Sequence, residues 1–478
     1  VGSVSSFGVQ ALVSDMMAYP YRCLEQTTSR AMAFLFGSGR YPAKGSAESF
    51  PDDLAREIRA SIDRLGTLQR RDGSFGLWSS AHPTEKWLTA YAADFLVRAK
   101  VAGFRVPDSL LRGALHWLRA SVRGGYHPGS RNVSAAAYAH YVLARAQIGS
   151  LGKLRHFYDS YNAEFRSGME SAFAAAALSS YGDAARSRQA RDAFLEWIPN
   201  AAEHSGSRYD YYSSPTRQVA AALHLAVEAR LQTSKLGDLA TRLAENIAAT
   251  DRFSTQESAW IAMAALSIER WARDYQVEAN GQSWHGPAPT RVKLGPGDLA
   301  RGFSVKNVGS DEIIYEITVR GVLAKTLPPV NSDISIKREL IGEDGKAVAP
   351  GAVKQGDLIL VRLSGEVASS SARWRKLQAL VVDLLPAGLE IEAVNVSKQL
   401  FDVPDSVPTH KNNLLFVKGR DDRYVAALEL SAGSKFSLLY LARAVTIGSY
   451  VFPAPYVENI YRPGQFARGA VSRLEVSR

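Results

Sequence analysis

STQESAWIAMAALSIERWARD, residues Ser254–Asp274, repeats apolar side chains at helical spacing, and from about Gln276 the texture of the chain changes. Upstream of it, TEKWLTAYAADFLVRAK (Thr84–Lys100), PDSLLRGALHWLRASV (Pro107–Val122) and VSAAAYAHYVLARAQ (Val133–Gln147) follow the same Ala- and Leu-rich pattern, a composition with high helix propensity. Thr84, Asn132 or Ser134, and Ser254 with Glu257 three residues on are the expected helix starts. About eleven or twelve helices are expected before residue 275, separated by Gly, Pro and Ser clusters. Paired helices closed into a ring, an all-α α/α toroid, would bury that many amphipathic faces. Downstream, RGFSVKNVG (Arg301–Gly309), DEIIYEITVRGV (Asp311–Val322), GDLILVRLSGEV (Gly356–Val367) and KFSLLYLARAV (Lys435–Val445) cluster β-branched and aromatic residues between turn residues. This is an all-β region of sandwich domains, and the break at KTLPPVNSD (Lys325–Asp333) divides it. The expected boundaries are 1–275, 276–325 and 326–478.

The chain has 478 residues, 46% hydrophobic and 22% charged, which is too long for one core and far from the composition of disorder. No apolar run approaches the roughly 18 residues needed to span a bilayer. The first residues, starting from Val1, lack the charged and apolar regions of a signal peptide, so a processed or excised chain is expected. Lys and Arg exceed Asp and Glu by 57 to 47, without a basic run or an aromatic-basic module, so nucleic acid is not an expected partner. The single cysteine, Cys23, excludes an intrachain disulfide and a multi-cysteine metal site.

That cysteine lies in AYPYRCLEQTTSRAMAFLF, Ala18–Phe36. Pro20 suits a first helical turn, and the spacing that follows supports a helix containing or starting near Cys23. Cys23 and Gln26 then share one face, and a thiol near a helix N-terminus is expected to have a lowered pKa. Attack of its thiolate on the Gln26 amide, with loss of ammonia, would leave an internal thioester, an acylating agent that amines and hydroxyls can open. On spacing alone a buried, inert cysteine is the favoured reading.

CLEQ (Cys23–Gln26), preceded by YPYR (Tyr19–Arg22), resembles the thioester motif of the alpha-2-macroglobulin and complement superfamily, in its bacterial branch. LQRRDGSFGLWSS (Leu68–Ser80), EKWLTAYAADFL (Glu85–Leu96) and STQESAWIAMAAL (Ser254–Leu266) resemble its toroidal thioester domain. VVDLLPAGLEIE (Val381–Glu392), DDRYVAAL (Asp421–Leu428) and PAPYVENIYRPG (Pro453–Gly464) resemble its C-terminal, receptor-binding-like macroglobulin domain, with a partial CUB-like module before it. The resemblance covers essentially the whole chain.

It implies the C-terminal portion of a periplasmic protease trap rather than an enzyme with turnover. A target protease cuts a bait segment, the molecule rearranges, and the thioester acylates a protease lysine; the bait and further macroglobulin domains lie N-terminal to the matched stretch. No cofactor or metal is implied. Co-encoded periplasmic partner proteins, and membrane attachment through an anchor outside this chain, go with the family. By the same resemblance Tyr19 covers the thioester with help from the last domain near Ile460 or Tyr461. Some complement relatives also use a histidine at a helix start beyond the motif; here that helix begins near Asn132 or Ser134, and His140 lies further in. Arg22 stands where a small residue is expected in close relatives, and its side chain is expected in solvent.

Three other readings stay open at this stage. A toroidal enzyme needs grouped carboxylates, and only Asp52 and Asp53 stand together, at a helix start where they answer the dipole. A cysteine hydrolase would use Cys23, without a nameable partner histidine or oxyanion hole. A non-covalent adhesion or scaffold protein would make no use of CLEQ.

Overall fold

The computed structural model describes residues 2–3, 5–18, 21–37, 51–123, 131–165, 167–197, 212–231, 233–269, 271–279, 281–287, 290, 292–310, 313–317, 319, 321, 325–369, 376–394, 396 and 413–478. The chain divides into two compact units, Val1–Arg320 and Gly321–Arg478.

In the first unit, helices alternate between an outer and an inner position. The inner set is α2 (Leu24–Gly37), α4 (Lys86–Val101), α6 (Arg131–Arg145), α8 (Gly168–Ser180), α10 (Pro215–Glu228) and α12 (Thr255–Glu269). Each packs on the next, and α12 closes the ring against α2. The outer set is α1 (Val9–Ala18), α3 (Asp52–Leu68), α5 (Asp108–Ser121), α7 (Leu151–Tyr161), α9 (Ala184–Trp197) and α11 (Leu236–Ala248). This is the α/α toroid expected from the periodicity.

Burial follows position. Outer helix α3 buries only Leu54, Ala55, Ile58, Ser61, Ile62, Leu65 and Leu68, one stripe at helical spacing. Inner helices meet neighbours on every side, and all of α2 from Leu24 to Gly37 is buried. Runs of alanine such as Ala174–Ala177 in α8 let neighbouring helix backbones approach closely. Ser254 opens α12 as read from the sequence: its Oγ accepts from Glu257 N–H at 3.3 Å, and its own N–H donates to Glu257 Oε2 at 2.7 Å. Two other expected starts move. Asn132 and Ser134 lie inside α6, which begins at Arg131, and Thr84 is bridged to Gly76 two residues before α4.

A buried polar network joins α4, α6 and α10. Arg98 Nε donates to Asp94 at 2.9 Å and its Nη1 to Glu228 at 2.8 Å. Arg145 reaches the same Glu228 at 2.8 Å, Tyr138 donates to Asp94 at 3.0 Å, and the Tyr141 hydroxyl donates to Glu228. Burial alone would raise the Glu228 carboxyl, but Arg98 and Arg145 hold it well below the usual range.

After Glu269 the backbone becomes extended. β1 (Tyr275–Ala279), β2 (Gln282–Gly286) and β3 (Val305–Asn307) form a sheet in the order β2-β1-β3, with a short helix α13 (Pro296–Arg301) before β3. Gly2 pairs with Ile314, and Ser6 and Gly8 donate to Glu316, so the start of the chain is tied to the end of this unit.

The second unit is a sandwich. One sheet runs β10-β11-β8-β14-β15-β4, with β4 Val330–Asn331, β8 Leu377–Leu384, β10 Leu414–Arg420, β11 Arg423–Leu430, β14 Tyr456–Asn459 and β15 Arg462–Arg468. The facing sheet runs β5-β7-β12-β9, with β5 Lys337–Ile341, β7 Leu358–Glu366, β9 Leu389–Ala393 and β12 Lys435–Ala444. A small third sheet holds β6 (Val353–Lys354), β13 (Gly448–Phe452) and β16 (Ser472–Ser477). Alternate residues such as Val361, Leu363, Ala379, Val381, Ala426 and Leu428 fill the core. Between the sheets, buried Asp383 accepts from Arg338 at 2.7 Å and from the Tyr440 hydroxyl at 2.8 Å. Among the described residues no helix is long and apolar enough to cross a membrane.

Removing one member of the buried network should unfold the toroid more readily. Glu228→Ala leaves Arg98 buried with part of its compensation gone, so a loss of about 3 kcal/mol or more is expected in denaturant unfolding of the first unit. A change within about 0.5 kcal/mol would show that the ring does not depend on this network.

Candidate functional site

Cys23 is the last residue before α2, not a member of it. Its carbonyl accepts from Thr27 N–H at 2.9 Å, its own N–H donates to Gln26 Oε1 at 3.3 Å, and Gln26 N–H donates to Cys23 Sγ at 3.5 Å. This is the reciprocal pattern of a capping box, with cysteine in the place of serine or threonine. The two side chains meet because each satisfies the other's backbone at the helix start. The sequence reading had them meet along one helical face; the missed signal was that Cys-x-x-Gln has the spacing of a cap.

Both residues are fully buried. The next orphan donor of the turn, Leu24 N–H, is taken by Leu77 O at 2.7 Å, so the segment GSFGLW (Gly73–Trp78) lies against the start of α2. Two glycines let it pass. A side chain at Gly73, where φ is +90°, would strike Gly113 O at 2.2 Å, and one at Gly76 would strike Ser79 O at 2.2 Å. Arg64 of α3 fastens the two strands of chain together, donating to Arg22 O and to Trp78 O, each at 3.1 Å.

Arg22 departs from the expectation of a solvent-facing side chain. It is paired with Glu57 at 2.7 Å, and the same carboxylate accepts from Arg30 at 3.0 Å. Glu57 thereby ties the segment before the helix to a residue two turns into it.

Glu25 is the third buried polar residue of the motif. Its Oε1 accepts from Ser29 Oγ at 2.7 Å, and both oxygens accept from Thr255 Oγ1 at 2.8 Å. Ser29 also meets the Tyr91 hydroxyl at 3.2 Å. Tyr91, linked to the carboxylate through Ser29, stacks on Trp260, and Arg217 covers the ring of Trp87. Burial pushes the Glu25 carboxyl up to about 7, although Ser29, Thr255 and Arg217 all favour its charged form.

The thiol does not have the lowered pKa expected of a helix start. Burial, and then the Glu25 charge, raise it far more than the N–H groups of Gln26 and Glu25 and the Arg64 charge lower it. A free Cys23 in this pocket would be un-ionised at neutral pH, which is the opposite of what a cysteine hydrolase requires.

Tyr19 lies outside the described residues. Ile460 is buried at the turn between β14 and β15, its N–H donating to Gln378 O at 2.9 Å. Tyr461 is half-buried beside it, with its hydroxyl 3.3 Å from Gln378 Oε1. His140 packs on Phe157 of α7 and is held down to about 4 by burial and the Lys153 charge. Asn132 accepts from Lys86 at 2.8 Å, and Ser134 is half-buried. Asp52 and Asp53 occupy the first turn of α3. Among the described residues no group of three or more His, Cys, Asp or Glu could hold a metal ion.

With this geometry in view, comparison with known proteins is specific. A model of the A-macroglobulin TED domain matches residues 1–134, which include the Cys23–Gln26 cap, and a model of the bacterial alpha-2-macroglobulin MG10 domain matches residues 334–464. The chain belongs to the bacterial alpha-2-macroglobulin family. It is 33% identical to the alpha-2-macroglobulin of Escherichia coli over 98% of its length and 30% identical to that of Xylella fastidiosa over 100%. It spans 29% and 30% of those proteins, respectively. The native conformation of the E. coli protein superimposes with a TM-score of 0.84 at 29% identity, covering 100% of this chain and 31% of that one. A Salmonella alpha-2-macroglobulin reacted with methylamine gives 0.81 at 30% identity, covering 98% and 31%. The match is to the C-terminal portion of these macroglobulins.

The buried carboxyl of this macroglobulin chain makes a signed prediction. A folded-state value near 7 against an ordinary 4.5 means that the native state holds its proton longer. Its stabilising effect is therefore full below about pH 4.5 and is lost as pH rises to about 7. In a Cys23→Ala background, Glu25→Gln should gain about 3 kcal/mol on its parent between about pH 5 and pH 8 in urea unfolding. A difference that does not change with pH would contradict the assignment.

Proposed function

We propose that Cys23 Sγ and Gln26 Cδ form an internal thioester and that this bond is the acylating group of a broad-spectrum protease inhibitor. The observation that carries the reading is the reciprocal cap. It holds a sulfur and a carboxamide together in a fully buried site, in a chain whose family includes a member crystallised after reaction with methylamine. Closure forms the Sγ–Cδ bond, breaks the Cδ–N bond, and sends the thiol proton out with the leaving nitrogen as ammonia.

A thioester has little of the resonance that protects an amide, so a lysine amine that reaches Cδ gains an amide and expels the sulfur. Each molecule reacts once, so the chain acts as an endopeptidase inhibitor without turnover. With Cys23 and Gln26 fully buried, capture needs a rearrangement that uncovers them, and cleavage of a bait segment by the target protease is the trigger that fits the family. Tyr19, and Ile460 or Tyr461, are the proposed shields. The periplasm is the proposed compartment, with any membrane anchor outside this chain and co-encoded periplasmic proteins as further partners.

The test is covalent capture by the full-length protein. Incubated with trypsin, the wild type should give an adduct that survives denaturing electrophoresis, and Cys23→Ala and Gln26→Ala should each abolish it. Trypsin with methylated lysines should escape. An adduct that persists in Cys23→Ala would overturn the reading.

A further inference from the structure

We propose that the Glu25 carboxylate is an electrostatic brake on the thioester, slowing its opening by amines because the departing thiolate is expelled beside a buried like charge. The inference rests on the thioester reading and assigns the motif's remaining polar residue a part in the same reaction.

Opening by an amine forms a bond from nitrogen to Gln26 Cδ and breaks Cδ–Sγ. The electron pair of that bond leaves on sulfur, and the amine's surplus proton finally rests on the thiol or in solvent. Charge therefore develops on Sγ, in a site without exposure, where an adjacent anion is costly. Glu25 is that anion. It cannot swing away, because Ser29 holds it from its own helix at 2.7 Å and Thr255 from α12 at 2.8 Å. These bonds hold the charge inside the same buried helix start as Cys23, two residues along the chain, and there it raises the thiol.

The groups on the packed helices do not cancel it. α4 brings Tyr91, un-ionised through burial, and Asp94, already bonded by Arg98 and Tyr138. α10 brings Arg217, which favours the charged form of Glu25 and so maintains the brake. On α12, Glu257 is taken up by Ser214 and by the Ser254 N–H. From α3, Glu57 is paired with Arg22 and Arg30, while Arg64 faces Cys23 and opposes the brake. α1 has only Asp15, which is exposed. Because Glu25 titrates near 7, the brake should be on above neutrality and released in mild acid.

The experiment measures thiol release by methylamine from the full chain, wild type and Glu25→Gln, from about pH 5.5 to 8.5. Glutamine keeps the shape and can keep bonds to Ser29 and Thr255 while removing the charge. The variant should open several-fold faster at about pH 8, where Glu25 is charged in the wild type, and at the wild-type rate at about pH 5.5. A ratio that is the same at every pH, or a slower variant, overturns the brake. Should Glu25→Gln fail to fold, the wild type decides alone: its rate constant divided by the free-base fraction of methylamine should fall several-fold across neutrality, and a flat quotient overturns the proposal. Intact mass taken beforehand separates the two claims. Full sequence mass in untreated wild type overturns the thioester and the brake together, whereas an ammonia deficit with a flat ratio overturns the brake alone.

Discussion

The start of one helix governs this molecule. An α-helix leaves its first N–H groups without partners, and here the sulfur of Cys23 takes one of them while the side-chain oxygen of Gln26 takes the N–H of Cys23. The contacts that hold the Cys23 sulfur and the Gln26 carboxamide together are therefore the contacts that begin α2. This arrangement comes from ordinary helix termination, without a strained segment of backbone at Cys23 or Gln26. Neighbouring elements complete the turn: Leu77 accepts from Leu24, and Arg64 fixes the approaching chain on both sides.

Burying the Cys23–Gln26 pair completely requires more than a single helix pair supplies. The inner helices on either side of it and the outer helices α1 and α3 cover α2 so completely that all of its residues are buried. An interior of that size encloses polar groups, and two sets of them are bonded to one another. Glu25 with Ser29 and Thr255 lies at the cap, and Asp94, Arg98, Arg145 and Glu228 lie between α4, α6 and α10. Burial raises the Glu25 carboxyl of the cap set, while direct pairing with Arg98 and Arg145 holds that of Glu228 well below the usual range. Burial with and without a cationic partner thus gives two kinds of glutamate inside one ring.

Periodicity made the ring legible, because outer helices such as α3 must show one apolar stripe and inner helices such as α8 almost no polar face. The sandwich was legible from β-branched, aromatic and other apolar residues clustered between turn residues, in stretches such as Arg423–Leu430, which is buried over most of its length. Cys23 and Gln26 stood out as a pair through the cysteine's uniqueness and the CLEQ resemblance. What the residues did not disclose were matters of long-range packing. Glu57 lies more than twenty residues from Arg22 and Arg30, and nothing local announces their pairing. The same holds for Thr255 on Glu25, which is 230 residues away in sequence. Thiol acidity was misjudged for the same reason: the N–H groups that lower it are local, whereas the burial that raises it comes from the whole ring.

The most direct measurement is tandem mass spectrometry of the peptide that contains Arg22 to Arg30, released from untreated protein at mildly acidic pH without reducing agent. A peptide lighter than its sequence by one ammonia, with the deficit confined to Cys23 and Gln26 and replaced by one added methylamine on Gln26 after treatment, is the predicted result. A peptide of full mass, with a free Cys23 thiol and an intact Gln26 carboxamide in freshly isolated material, would contradict it.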